Sequence, residues 1–326
     1  MNKMKSLYMI GNGFDVAHGL QTDYWKFRTY LEQKYPEFLT LLENIYGIQQ
    51  LDSTEPWYTK DAQEKWNNNV DKNLWSLFEE SLGNPDIIDM LNSSSCVLDD
   101  MDLDGGNIGI RDTMDVYWQD KFGFINLLQK YAKEWIEKID TSCIFTKKRE
   151  LLDNDVDYFL NFNYTDVLEH VYRIENVTHI HGGVVSVTDI TPIMGHCNKS
   201  EIEKHRQLAK KADDEWDEGG SSIHNAIANF LEAIFKDTNS IIKYHNEFFK
   251  SLNNVDQVII IGWSAGNVDI PYLLKIKESV RANTKWIVYW YDDAAYKSLV
   301  NAFDEVKING QYDVVYTQTN EYWDTD

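Results

Sequence analysis

The chain has 326 residues and a net charge of −22 at neutral pH, a balance that repels a phosphate backbone and an anionic bilayer, so neither nucleic acid nor a membrane surface is an expected partner. Its length suffices for one large α/β domain or two smaller ones, and with no run of about 18 apolar residues and no apolar core in the Met1–Lys5 start, the expected location is the cytoplasm. The three cysteines, Cys96, Cys143 and Cys197, are far apart without a C-x-x-C pair, which excludes a zinc ribbon and a disulfide framework.

The first element is a short apolar strand, Leu7-Tyr8-Met9-Ile10, that breaks into Gly11-Asn12-Gly13-Phe14-Asp15 and resumes as helix. A strand, a Gly-x-Gly loop and a helix N-terminus can present backbone N–H groups to a phosphate. The dinucleotide fingerprint places a third glycine where Val16 stands, so the same residues also fit a tight turn with Asp15 as helix N-cap. Helical spacing of Tyr24, Phe27, Tyr30 and Leu31 then runs to Tyr35-Pro36, where the proline disfavours helix before it.

From about residue 36 to 149 the pattern is helical and polar, a helical insertion in which Trp57, Trp66, Trp75, Trp118 and Trp135 read as core. Asp100-Met-Asp102-Leu-Asp104-Gly105 imitates the start of a calcium loop, but Arg111 stands where the closing glutamate belongs, so calcium is not expected. Strand character returns at Val156–Phe162, followed by the polar loop Asn163-Tyr164-Thr165-Asp166 and a short helix through Leu168 and Val171. A third strand is expected at Val177–His181 before Gly182-Gly183, and a fourth at Ile190–Met194 before Gly195. A charged helical excursion covers about 200–252. Val258–Ile261 reads as a strand buried on both faces, ending in Gly262-Trp263-Ser264-Ala265-Gly266, and Trp286–Trp290 and Val314–Tyr316 supply further strands. The alternation predicts an α/β, Rossmann-like, mainly parallel sheet flanked by helices, with ligands at the carboxyl ends of the strands. Residues 1–35 and 150–326 would form that domain, discontinuous around the insertion 36–149.

Several residues in those loops carry chemistry. Gly262–Gly266 matches the G-x-S-x-G nucleophile elbow, but a hydrolase of that fold needs a histidine after the serine and the last histidine here is His245. His179 and His181, two apart on a strand, should share a face, and with His196 and Cys197 they could ligate a metal, although no carboxylate partner is indicated by spacing. His181, beside Gly182-Gly183 at a strand end, is the better functional candidate. Asn163 and Asp166 could face the same cleft or serve as turn former and cap.

Assembled, these motifs resemble the abortive-infection AbiH family of bacterial anti-phage proteins. The resemblance rests on Gly11–Leu20, Leu74–Gly83, Phe162–Asp166, His179–Gly182 and Ile261–Asp269, which follow in order along nearly the whole chain. More distantly they are similar to sirtuin-like NAD-consuming defence effectors. That similarity implies Gly11, Asn12, Gly13, Phe14 and Asp15 in a phosphate loop, Asn163 and His181 as catalytic residues, and Gly262 and Ser264 along the phosphates. Asn12 replaces an alanine, Asp15 stands where a serine is usual, and an extra residue separates Tyr164 from Asp166, which leaves that aspartate's role open. The chain lacks the cysteines of a sirtuin zinc module, so protein deacetylation is not implied and no metal is expected.

The expected activity is NAD hydrolysis at the nicotinamide–ribose bond, with NAD as substrate. Asn163 would bond the ribose or the attacking water and a neutral His181 would be the general base. Asp292, at a strand end, is a candidate for the adenosine ribose. A non-catalytic nucleotide-sensing module acting through a regulatory partner or a second copy of the chain is the alternative, ahead of a serine or metal-dependent hydrolase.

Overall fold

Ser6–Ile10 (β1), Tyr158–Asn161 (β2), Val177–His179 (β3), Gln257–Ile261 (β4), Lys285–Trp290 (β5) and Val314–Gln318 (β6) pair in one all-parallel sheet. The computed structural model describes residues 4–49, 59–102, 110–184, 188 and 190–324. The strand order is β3-β2-β1-β4-β5-β6, the doubly wound arrangement whose direction reverses between β1 and β4.

The apolar runs are strands because both faces of the sheet are covered. Leu7 and Met9 of β1 pack into one cluster with Leu160, Val258, Ile260, Trp286 and Val288. Tyr8 and Ile10 pack into another with Phe159, Ile259 and Ile261. Period-two alternation therefore sends each strand's side chains alternately into two cores, and a continuous apolar run results. The α/β expectation, with a parallel sheet and helices on it, holds.

Beyond shifts of one or two residues at other strand ends, two of the expected strands differ from the sequence reading. Ile190–Met194 is not a strand; it is fastened by single bonds, Gly183 N–H to Ile190 O and Ile193 N–H to His181 O. β3 ends at His179, because Gly182, at φ +73°, turns the chain and its N–H bonds back to His179 O. Apolar content alone does not show where a ladder stops.

The chain divides into two compact units. One holds the sheet and comprises residues 1–26, 132–193 and 237–326; the other comprises 27–131 and 194–236. The second unit is helical. It takes residues 194–236, which include the first part of the excursion expected at about 200–252 within the sheet domain, together with most of the first insertion. Pro36–Ile45 begins with its proline in the first turn, where a missing N–H is tolerated. Glu43 of that helix is fully buried and accepts from Arg28 Nε at 2.7 Å and from Trp75 Nε1 at 2.8 Å. Trp75 and Trp118 are core residues of this unit, and Trp66 is half-buried. Trp135, in the sheet-containing unit, is buried as well. Trp57 and the acidic segment 100–105 lie outside the residues whose side chains are described.

Candidate functional site

Parallel pairing aligns the strand ends. Ile10 is level with Asn161 on one side and with Ile261 on the other, and Asn161 is level with His179. The loops that follow β1, β2, β3 and β4 therefore leave the sheet from one row. That row is the carboxyl edge, at the point where the winding reverses.

The loops after β1 and β4 are in backbone contact. Gly11 N–H donates to Ile261 O at 2.9 Å and Gly13 N–H to Gly262 O at 2.8 Å. A Cβ on Gly11 would sit 2.5 Å from Trp263 Cα, and one on Gly262, at φ +67°, would sit 2.3 Å from Phe14 N. The three glycines are thus required by this close approach, and the Gly13 N–H points at a carbonyl of the protein. Gly11 caps the short helix Asn12–Ala17 without a side chain, so Asp15 is not the N-cap. Phe14 is fully buried against His18, Tyr172 and Trp323, while Asn12 is exposed.

Asp15 lies in that helix's first turn and turns inward, with 1% of its surface exposed. Its Oδ1 accepts from Asn163 Nδ2 at 2.9 Å and its Oδ2 from Thr165 Oγ1 at 2.6 Å. Burial drives its pKa up to about 7, against the opposing pull of the two hydrogen bonds and of His179.

Asn163 sits where it does because Asn161, the last residue of β2, accepts the Asn163 N–H on its side-chain oxygen at 3.0 Å and bends the chain. The Asn163 amino group donates to Gly11 O at 3.1 Å as well as to Asp15. Both of its hydrogens are thereby engaged, which leaves Oδ1 as its acceptor. His179 holds the same residue from behind: its Nδ1 lies 3.1 Å from Asn163 O and its Nε2 2.7 Å from Glu169 Oε1.

His181 is placed differently from His179, a correction to the shared face expected of them. Since β3 stops at His179, the His181 ring packs against Phe162 and Tyr272, in the cluster that also takes Trp263. Its Nε2 lies 3.5 Å from Asp269 Oδ1, and Trp263 Nε1 donates to Asp269 Oδ2 at 3.2 Å. Asn163 instead reaches Gly11 O and Asp15, in the loop and helix after β1. The structure thus builds two centres in this loop cluster: Asn163 with Asp15 and Thr165, and His181 with Asp269.

The remaining candidates are more peripheral. Asp166 accepts from Thr141 Oγ1 at 2.7 Å. Asp292, at the end of β5, accepts the Ala295 N–H at 2.7 Å and is the exposed N-cap of Asp293–Glu305. Ser264 is exposed, and the left-handed backbone of its loop falls on Gly262 and Ala265 instead of on the serine, unlike a strained nucleophile elbow. His196 bonds Leu231 O and Asn198 N in the helical unit, and among the described residues no group of three or more His, Cys, Asp or Glu could hold a metal ion. The sequence reading does not single out Thr165, Glu169 or Asp269, although Thr165 lies within Phe162–Asp166 and Asp269 closes Ile261–Asp269; only Thr165 is next in sequence to a candidate, Asp166.

Asn163 and His181 are 5% and 3% exposed. A cavity of about 450 Å³ opens at the β3 edge beside His179, Thr178, Tyr244 and His245. One of about 530 Å³ lies in the helical unit beside Trp118, Arg206, Asn225 and Asn229. Neither is lined by Asn163, His181 or the glycine loops. Among the described residues, no helix is long and apolar enough to cross a membrane.

Comparison with curated proteins and with solved structures gave no match. A family model described as bacteriophage abortive infection AbiH matches residues 7–290, a span that runs from within β1 to the end of β5 and takes in every loop of the two centres. The chain belongs to the AbiH family, and its role is abortive infection in defence against phage.

Proposed function

We propose that the protein hydrolyses NAD at the nicotinamide–ribose bond, releasing nicotinamide and ADP-ribose, as the effector step of abortive infection. One observation supports this above the others: Asn163 is tied by Asp15 and Gly11 O to the glycine loop, at the carboxyl end of a doubly wound sheet where dinucleotides bind. In the reaction the C1′–N bond breaks with its electron pair passing to the nicotinamide ring, which is already cationic and leaves without a strong acid. Water adds to the oxocarbenium-like ribose and gives up a proton. Asn163 Oδ1 accepts from a ribose hydroxyl or from the water. His181 takes the proton as general base, with Asp269 orienting the ring and stabilising the imidazolium that forms.

Both side chains are buried, so a dinucleotide reaches them after the loops part. A closed resting site suits an effector that must stay silent before infection. The test is to incubate purified protein with NAD, with and without extract of phage-infected cells, and to measure nicotinamide and ADP-ribose. Release that disappears in Asn163→Ala and in His181→Ala supports the assignment, and turnover retained in both ends it.

A second reading has its own observation. Asn163 and His181 are both buried, and the Asn163 amino group is spent on Gly11 O and Asp15 as in a residue that holds loops together, which favours a non-catalytic nucleotide-sensing module that acts through a partner. NAD or a related nucleotide would then raise the melting temperature without being consumed.

A further inference from the structure

We infer that the Asp15 carboxylate is a clamp that fixes the orientation of the Asn163 carboxamide, and that the state of this clamp regulates the site. This rests on the reading of Asn163 as the group that meets ribose or water. Three segments distant in the chain meet here: Gly11 and Asp15 after β1, Asn163 and Thr165 after β2, and His179 at the end of β3.

The hydrogen-bond directions determine how the clamp works. A carboxamide can be turned over, exchanging its oxygen and its amino group. With Asp15 ionised, Oδ1 demands a donor, and Gly11 O, which also accepts the Phe14 N–H, takes the other hydrogen of the same nitrogen, so Asn163 has one satisfied orientation, with Nδ2 inward and Oδ1 away from both. Thr165 gives its hydroxyl proton to Oδ2 in the same state. A proton on Asp15 needs an acceptor. On Oδ1 it would face the amino group of Asn163, and turning the amide to receive it would set Asn163 Oδ1 against Gly11 O, two acceptors facing each other. The proton therefore goes to Oδ2, and Thr165, whose hydroxyl can accept as well as donate, is the residue that adapts. The bond from Asn163 then loses its charge assistance and weakens.

The carboxyl titrates in the range where this matters, being held at about 7. Burial pushes it up and Asp166 adds to that push, while Thr165, Asn163 and His179 pull it down. His179 is itself bonded to Glu169. His18, on the same turn as Asp15, is occupied by Phe14 O and the Tyr172 hydroxyl. Ionised Asp15 is thus the form that presents Asn163 rigidly. Near neutral pH the chain is poised between that form and a looser one.

The experiment follows the Asp15 carboxyl by ¹³C NMR titration in wild type, Thr165→Val, Thr165→Ser and Asn163→Ala, and nicotinamide release from NAD between pH 5.5 and 8.5 in wild type and the two Thr165 variants. The clamp requires that Thr165→Val raise the Asp15 midpoint by about one unit, that Thr165→Ser restore it, and that Asn163→Ala also raise it. Release by wild type should increase as pH rises through the same midpoint and move with it in Thr165→Val. A midpoint unmoved by both Thr165→Val and Asn163→Ala overturns the clamp, whatever the activity. Coupled titration with no nicotinamide release under any condition, infected extract included, leaves the clamp standing and overturns the NAD reading.

Discussion

Asn163 Nδ2 donates to Asp15 Oδ1 at 2.9 Å across 148 residues of chain, inside a protein interior from which both side chains are almost completely withdrawn from water. Two polar groups buried this far are tolerable because each satisfies the other, and removing either one exposes its partner's desolvation penalty.

Asn163→Ala should therefore be costly to the fold as well as to the chemistry. Asp15 Oδ1 and Gly11 O both lose a donor, and the loss is expected at about 1–3 kcal/mol of unfolding free energy. Urea denaturation of wild type and variant at pH 8, where Asp15 is mostly ionised, measures it.

Asp15 also makes stability depend on pH with a definite sign. Its pKa is about 7 in the fold against 3.8 for an unperturbed carboxyl, so between those values the folded chain holds a proton that the unfolded chain has released. Its contribution is fully present below the lower value and is lost as pH rises through 7. Asp15→Asn carries no such proton. The stability of wild type relative to this variant should fall between pH 4.5 and 8 by roughly 2–4 kcal/mol, at about 1.4 kcal/mol per pKa unit. A constant difference across that interval would contradict the raised pKa.

The glycines differ sharply in what they tolerate. Gly262→Ala forces a left-handed φ on alanine and drives its Cβ to 2.3 Å from Phe14 N, so several kcal/mol and a failure to accumulate as folded protein are expected. Gly310, at φ +79°, has nothing within 4 Å of a built Cβ, so Gly310→Ala should lose only about 1–2 kcal/mol. Thermal melts of the pair separate backbone collision from conformational preference.

For the second centre, Asp269→Asn leaves the size of the side chain unchanged but removes the charge 3.5 Å from His181 Nε2. If His181 is the base for NAD hydrolysis, the rate of nicotinamide release should fall on the order of 10²-fold or more with KM little changed. An unaltered rate would make the carboxylate incidental to the chemistry.

In the helical unit, Arg28 and Glu43 form a buried ion pair at 2.7 Å that Trp75 Nε1 completes. Arg28→Met leaves Glu43 buried without its cation, which should lower stability by about 3–5 kcal/mol, and Arg28→Met with Glu43→Leu should recover much of that. A denaturant double-mutant cycle reads both numbers.

Much of this molecule was written in its local patterns. Apolar runs such as Leu7–Ile10 and Val258–Ile261 are strands because a parallel sheet covered on both faces has no polar side to show, and the polar loops after them mark its carboxyl edge. Tertiary structure alone decided the rest. Pairing register set Ile10 level with Asn161 and Ile261, and only that alignment brings Asp15 to Asn163 and lets the glycines touch the loop after β4. It also decided that β3 stops at His179, which parts two histidines that alternation would have put together, and that residues 194–236 fold with 27–131. A periodic pattern reports which face of an element is buried, whereas hydrogen bonds between residues a hundred or more positions apart depend on where the backbone has been carried by everything between them.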